Sequence, residues 1–230
     1  MLTPLESEAL ALSLRVGLVS VIFSLPLGLL VAWLLVRRRF PGREILNGLV
    51  HLPLVLPPVV VGFTLLILFG RNGPVGAWLY EVFGVTFAFD WKGAALASAV
   101  MAFPLMVRAM RLSLEGVDTR LEAAARTLGA NRMRVFATVT LPLMLPGILT
   151  GAILGFARSI SEFGATITFV SNIPGATRTL PLALYSLTQV PGGDHAAWRL
   201  CIISVVVAMA ALLASELIAR RLDRRIKGVA

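Results

Sequence analysis

Long uncharged stretches of apolar residues constrain the fold of this chain more than any other feature. They cover residues 16–36, 49–70, 93–107, 135–157 and 200–215. About 20 apolar residues in a helix cross the hydrocarbon core of a bilayer. Three stretches reach that length alone, and the third and fifth reach it with Arg108 and Arg199 at the interface. The chain is only 14% charged, whereas soluble domains average about 25%, so a soluble class is excluded.

These stretches predict an all-α membrane protein with about five transmembrane helices in a single domain over residues 1–230. The predicted spans cover about residues 12–36, 49–70, 93–110, 143–163 and 197–219. A cytoplasmic loop over residues 111–142 joins the third span to the fourth. The outer segment 164–198 is rich in proline and is expected to hold a short or re-entrant helix at residues 180–187.

Positive charge is concentrated in segments on one predicted side of the membrane. Arginine and lysine cluster in residues 37–43, 108–134 and 220–227, while the opposite loops hold few cations. This distribution follows the positive-inside rule. It predicts an inner-membrane protein with its N-terminus outside and its C-terminus in the cytoplasm. The net charge of +9 is explained in this way, and no nucleic-acid partner is expected.

The cytoplasmic loop contains a helix–Gly–helix pattern. Thr119 and Glu122 have the spacing of a capping box, Gly129 is placed to end the helix, and Asn131 is placed to cap the next one. An apolar stripe follows helical spacing along Leu121, Ala124, Ala125 and Leu128. Two interpretations remain open from the pattern. The helix docks on a cytoplasmic partner, or it lies on the membrane with Arg120, Arg126 and Arg132 at lipid headgroups.

The same loop resembles the EAA loop of bacterial ABC import permeases. The resemblance rests on Ala123, Ala124, Ala125, Gly129, Val139, Leu141 and Pro142. It implies the ABC type I importer permease fold and a short coupling helix that docks into a groove of the ATPase. The docking residues that it implies are Arg120, Leu121, Glu122, Ala123, Ala124, Ala125, Leu128 and Gly129. The chain departs from the family pattern at Ala123, where the family has glutamate, and its own acid is Glu122.

Much of the remaining chain resembles the molybdate permease subunits of this family. The similar segments are residues 51–62, 103–110, 114–118, 160–166 and 170–179. The resemblance implies ATP-driven import of molybdate or tungstate. Sulfate/thiosulfate permeases share the segment Glu162–Ala165, so a sulfate permease is the alternative. Implied partners are two copies of an ATPase subunit, a periplasmic or extracellular molybdate-binding protein, a second copy of this chain, and membrane lipid.

The fourth span carries small residues at intervals of four, namely Gly147, Gly151, Gly155 and Ser159. Such spacing allows close helix packing, and the alternative is a smooth wall for a passing oxyanion. Arg158, Ser161 and Glu162 follow on the same helix. Ionisable residues inside a span are candidates for function, although Arg158 and Glu162 can also neutralise each other as an i,i+4 pair. The candidate pathway or gate residues are Gly155, Arg158, Ser161 and Glu162.

Other classes of function lack their motifs. No phosphate-binding GxxxxGK[ST] occurs, so a separate subunit is expected to hydrolyse ATP. His51 and His195 have no second ligand at metal spacing, and neither a cofactor nor a metal is expected. An intramembrane enzyme would need an acid–base constellation that the sequence does not present. A structural membrane anchor would leave the docking-type helix without a role.

Overall fold

The computed structural model describes residues 3–226, which form helices joined by turns and contain no β-strand. The all-α class is therefore confirmed. Lys227, which the sequence analysis counts among the cytoplasmic cations, lies outside the described residues. The helices are α1 (Pro4–Arg37), α2 (Arg43–Val55), α3 (Pro58–Phe69), α4 (Pro74–Phe83), α5 (Trp91–Glu115), α6 (Thr119–Thr127), α7 (Arg132–Val135), α8 (Leu141–Ile160), α9 (Gly164–Val170), α10 (Leu180–Thr188) and α11 (Asp194–Ile226).

Four helical segments are each long and apolar enough to cross a membrane. They are Pro4–Arg37, Trp91–Glu115, Arg132–Ile160 and Asp194–Ala211. A fifth crossing requires α2 and α3 together, and these helices are bent by 116° at their junction. The sequence predicted one span over residues 49–70. The break follows from Pro57 and Pro58, because proline forces the preceding residue out of helical conformation, and Leu56 is extended with ψ 142°.

The helix that contains the fourth span begins earlier than predicted. The cytoplasmic loop was expected to run to residue 142, but the helix starts at Arg132 and continues through a π-helical segment, Phe136–Thr140, into α8. Pro142 lies just beyond that segment. In a regular helix its ring would clash with the carbonyl of residue 138, and a π-helical turn relieves such a conflict. The connection from α5 to the helix that begins at Arg132 is therefore only residues 116–131, and it contains α6.

The centre of the fold is formed by α1, α5 and α8, which pack against one another. Their shared core is apolar and includes Leu35, Met106, Met110, Leu114 and Met144, each almost completely buried. The opposite face of α1 is equally apolar but exposed, with Leu18, Ile22, Phe23, Leu27 and Leu30 outward. Helices that are apolar all round are typical of membrane spans, because lipid or a second chain covers the outer face.

The end of the bundle at which α1 begins is closed by short helices. The predicted helix at residues 180–187 is present as α10, and its first amide, Leu180 N, donates to Ser13 Oγ of α1 at 2.7 Å. Arg199 of α11 pairs with Glu6 of α1 at 3.1 Å. The sequence did not predict α9, which packs against α3 and α5. These contacts tie α10 and α11 to the first half of α1.

Candidate functional site

The predicted docking helix is α6, and it begins one residue earlier than the capping-box prediction required. Its N-cap is Asp118, whose Oδ1 accepts from Arg120 N at 2.9 Å. The prediction that Thr119 caps the helix together with Glu122 is wrong. Aspartate is a strong N-cap because its carboxylate satisfies a free backbone amide. With the cap at residue 118, Glu122 lies beyond the position from which a capping box closes.

The turn after α6 agrees with the sequence prediction. Gly129 has φ +86°, a left-handed conformation that favours glycine over residues with a Cβ atom. Two residues later, Asn131 Oδ1 accepts from Arg134 N at 2.9 Å and caps the helix that follows. The helix–Gly–helix step is therefore confirmed as local structure.

One face of α6 is uncovered by any described part of the chain. No residue of the helix is buried. Leu121 in the helix is 49% exposed, and Leu128 immediately after it is 88% exposed. Arg120, Ala123 and Ala124 are also exposed, whereas Ala125 is half-buried. The predicted docking residues other than Glu122 and Ala125 thus lie on an accessible surface of small and apolar side chains.

Glu122 differs from these residues because its side chain is turned inward. Its Oε1 accepts from Arg37 NH2 at 2.8 Å and from Thr140 Oγ1 at 2.8 Å. The side chains of Arg37 and Glu122 are 18% and 15% exposed. Removing one partner of a pair that is largely shielded from water leaves the other charge uncompensated, which costs more than at the surface. Glu122 therefore anchors α6 to the end of α1 and to the π-helical segment.

The second group of predicted residues lies where α8 ends. Glu162 is buried, and its Oε2 forms an ion pair with Arg158 NH1 at 2.7 Å. Its Oε1 accepts from Ala165 N at 2.8 Å, so the same carboxylate caps the start of α9. Ser161 is exposed, and its Oγ donates to the Arg158 carbonyl at 3.1 Å. The structure thus brings Arg158, Ser161 and Glu162 together at the break between α8 and α9.

The glycines of α8 face α5. A Cβ atom at Gly147 would lie 2.1 Å from Ser113 Cβ, and one at Gly155 would lie 2.6 Å from the sulfur of Met106. Both glycines are buried. This geometry favours the packing interpretation of the small-residue pattern over a pathway wall. Gly155 is buried against α5, whereas Ser161 is exposed.

Sequence reasoning missed a buried cluster of serines between the core helices. Ser20 of α1 and Ser159 of α8 have their Oγ atoms 2.7 Å apart, and Ser98 Oγ of α5 donates to the Ser159 carbonyl at 3.5 Å. Hydrogen bonds between spans hold helices together in lipid. The available signal was a serine at the end of the glycine pattern, but the sequence does not indicate its partners.

A cavity of about 460 Å³ opens between the start of α1 and residues 174–178. Two cations line it. Arg15 stacks on the Trp91 ring at 3.7 Å, and Arg178 Nε donates to Asn172 Oδ1 at 3.0 Å. Within residues 3–226 no group of three histidine, cysteine or acidic side chains is arranged to hold a metal ion.

Comparison with known families decides what this arrangement of helices is. Residues 24–228 match the model of the family described as "Binding-protein-dependent transport system inner membrane component". The chain belongs to this family. It is a multi-pass inner-membrane permease and a transport subunit, and ATP hydrolysis is the work of a separate subunit.

Relatives of this permease have names that state a cargo. The molybdenum transport system permease protein ModB of Escherichia coli is 64% identical over 95% of this chain and 96% of its own length. ModB of Haemophilus influenzae is 55% identical over 96% and 97% of the two chains. The sulfate transport system permease protein CysT of Escherichia coli is more distant, at 38% identity over 98% and 80%.

Solved structures with similar folds are also ABC transporters. A bacterial alginate ABC transporter bound to its periplasmic protein matches with a TM-score of 0.75 and 18% identity, covering 96% of this permease and 80% of that chain. The MetNI methionine transporter, in an inward-facing conformation, matches with a TM-score of 0.71 and 19% identity, covering 96% and 99%. The importer permease fold is therefore confirmed. Family membership implies an ATPase, a substrate-binding protein and association of permease chains.

Proposed function

We propose that this permease carries molybdate, or the closely similar tungstate, inward across the membrane. The observation that supports the proposal is the 64% and 55% identity to the molybdenum permeases of Escherichia coli and Haemophilus influenzae, against 38% to the sulfate permease, over nearly the whole chain. Molybdate and sulfate are both tetrahedral dianions, so net charge alone does not distinguish them. We expect the preference to belong to the assembled system, with most selectivity in the binding protein.

In the proposed assembly two copies of the permease flank a central pathway, and two ATPase subunits bind beneath them. Each ATPase contacts the exposed face of α6, and the expected contact residues are Arg120, Leu121, Ala123, Ala124 and Leu128. Support comes from the accessibility of this face. ATP closes the ATPase dimer, and α6 moves with it.

Glu122 has a different role in this proposal from the one that the resemblance implied. Because its carboxylate is already bonded to Arg37 and Thr140, we assign it to transmission inside the permease rather than to ATPase contact. Ala125 and Gly129 shape the helix and its end. A movement of α6 then pulls on α1 and on the helix that contains α8.

The binding protein docks outside, on residues 71–92 and 164–198, in this proposal. This places the N-terminus outside and the C-terminus in the cytoplasm, as the charge distribution indicates. Arg158, Ser161 and Glu162 are proposed as a gate at the break between α8 and α9. The internal ion pair leaves Arg158 partly compensated, which suits brief contact with an oxyanion rather than tight binding.

Growth rescue tests the cargo. Cells without their own molybdate uptake receive this permease with its cognate ATPase and binding protein, and molybdoenzyme activity is measured at trace molybdate. We expect activity to return. In parallel, cells without sulfate uptake receive the same set, and we expect no growth at ordinary sulfate concentrations. Rescue of sulfate growth without a gain at trace molybdate would overturn the molybdate proposal and favour sulfate import.

A further inference from the structure

A second basic cavity lies at the cytoplasmic end of the bundle, where α1, α6 and α7 meet. It has a volume of about 280 Å³ and is lined by four arginines and a single glutamate, together with Trp33, Val135, Phe136 and Thr140. The arginines are Arg37 of α1, Arg38 immediately after α1, Arg126 of α6 and Arg132 of α7. Positive charge from three separate helices therefore converges on one concave site.

The single carboxylate that lines the cavity is already paired with an arginine. Glu122 is paired with Arg37 at 2.8 Å, which leaves Arg38, Arg126 and Arg132 without a carboxylate among the residues that line the cavity. Arg126 Nε donates to the Glu122 carbonyl at 3.2 Å, which holds this side chain beside the cavity. Like charges that line one cavity repel each other, and an anion bound between them offsets that repulsion.

Two details indicate that the cavity is shaped to hold a ligand. The Nε atom of Arg37 is buried and has no hydrogen-bond partner within the described chain, whereas buried donors are normally satisfied. The guanidinium of Arg38 lies 5.1 Å from the centre of the Trp33 ring, which limits its motion. The lining residues thus include one arginine with an unsatisfied donor, Arg37, and one arginine whose position is restrained, Arg38.

We propose that this cavity binds a tetrahedral phosphate-type oxyanion, either the phosphate of an anionic phospholipid headgroup or a free inorganic oxyanion. Arginine is well suited to phosphate because its planar guanidinium donates several hydrogen bonds in a fixed geometry. Basic cavities between helices on the cytoplasmic side are typical sites for acidic headgroups. The bound anion joins Arg126 of α6 to Arg38 at the end of α1 and to Arg132 of α7, and so steadies the coupling helix alongside the Glu122–Arg37 pair.

The test uses the purified full-length permease. Inorganic phosphate is titrated while tryptophan fluorescence is recorded, and the contribution of Trp33, one of four tryptophans, is isolated with Trp33→Phe. In a second arm, native mass spectrometry counts retained phosphatidylglycerol and phosphatidylcholine. The double variant Arg38→Gln/Arg132→Gln is compared with Arg39→Gln/Arg134→Gln, which removes the same charge from neighbouring exposed positions outside the cavity.

We expect the cavity variant to weaken binding of the anion about tenfold or more and the control variant to leave it nearly unchanged. Loss confined to phosphatidylglycerol identifies a lipid headgroup, and loss confined to inorganic phosphate identifies a free anion. Arg126→Gln provides a second cavity variant whose effect must have the same direction. Equal losses in the cavity and control variants, or no saturable binding by the unmodified protein, would overturn the proposal, because diffuse surface charge would then explain the data.

Discussion

The close packing of α5 against α8 is the feature whose disturbance is easiest to quantify. We predict that Gly147→Ala destabilises the permease. A Cβ atom at residue 147 would lie 2.1 Å from Ser113 Cβ and 2.6 Å from Ser113 Oγ, whereas carbon atoms in contact lie about 3.5–4.0 Å apart. The helices must therefore separate locally by about 1.5 Å, since Ser113 Cβ is fixed to its backbone and has no rotamer that removes it.

The expected cost is the overpacking penalty of about 1–3 kcal/mol. Alanine also favours helix over glycine by about 1 kcal/mol, so a matched control is needed to isolate the steric part. Gly48→Ala is that control, because Gly48 is helical and exposed and a Cβ there meets nothing within 4 Å. The two variants should differ by about 1–3 kcal/mol in free energy of unfolding, or about 2–12 °C in melting temperature for a chain of this size.

Thermal unfolding in a single fixed detergent measures this difference. Gly155→Ala should fall between the two variants, because its nearest neighbour is the flexible Met106 side chain. The double variant Ser113→Gly/Gly147→Ala should recover much of the loss relative to the sum of the single variants, as expected for residues in direct contact. Equal melting temperatures for Gly147→Ala and Gly48→Ala would refute the packing interpretation of the glycine pattern.

Three further predictions concern coupling and topology. Glu122→Gln should lower transport-coupled ATP hydrolysis severalfold while the protein still assembles, because it removes the charge that holds Arg37. The control is Glu115→Gln at an exposed position, and equal activities of the two variants would contradict the anchoring role of Glu122. Gly129→Val should also reduce coupling, since a β-branched residue is strained at φ +86°, and wild-type coupling would favour the membrane-surface interpretation of α6. A reporter fused at residues 72–76 should read external and one at the C-terminus cytoplasmic, and an external C-terminus would refute the proposed orientation.

The accuracy of the sequence predictions depended on how local each feature was. The stop at Gly129 and the cap at Asn131 were predicted correctly, because a left-handed turn and an Asn cap depend on a few neighbouring residues. The capping box at Thr119 was wrong because Asp118, one residue earlier, is a stronger competing cap. The continuation of the helix that begins at Arg132 into the fourth span was missed. Pro142 suggested that the loop ended there, whereas the π-helical segment accommodates this proline within one continuous helix.

The functional contacts that the sequence did not reveal join residues far apart in the chain. Glu122 meets Arg37 across 85 positions, and Ser20 meets Ser159 across 139. Any of several arginines near the membrane surface satisfied the sequence pattern equally well as a partner for Glu122. Which of them is in reach depends on how α1 and α6 are placed by the packing of the core.

The sequence by itself determined the membrane class, the number of apolar segments and the side on which positive charge collects, because lipid responds to local length, hydropathy and charge. Only the tertiary structure decided which face of each span is buried, how sharply α2 and α3 bend apart, and which cations surround the cytoplasmic cavity. The physical reason is that these spans are apolar on every side. Hydropathy then carries no signal for how a span is rotated about its own axis. That rotation is set instead by close steric fit at Gly147 and Gly151 and by hydrogen bonds at Ser159.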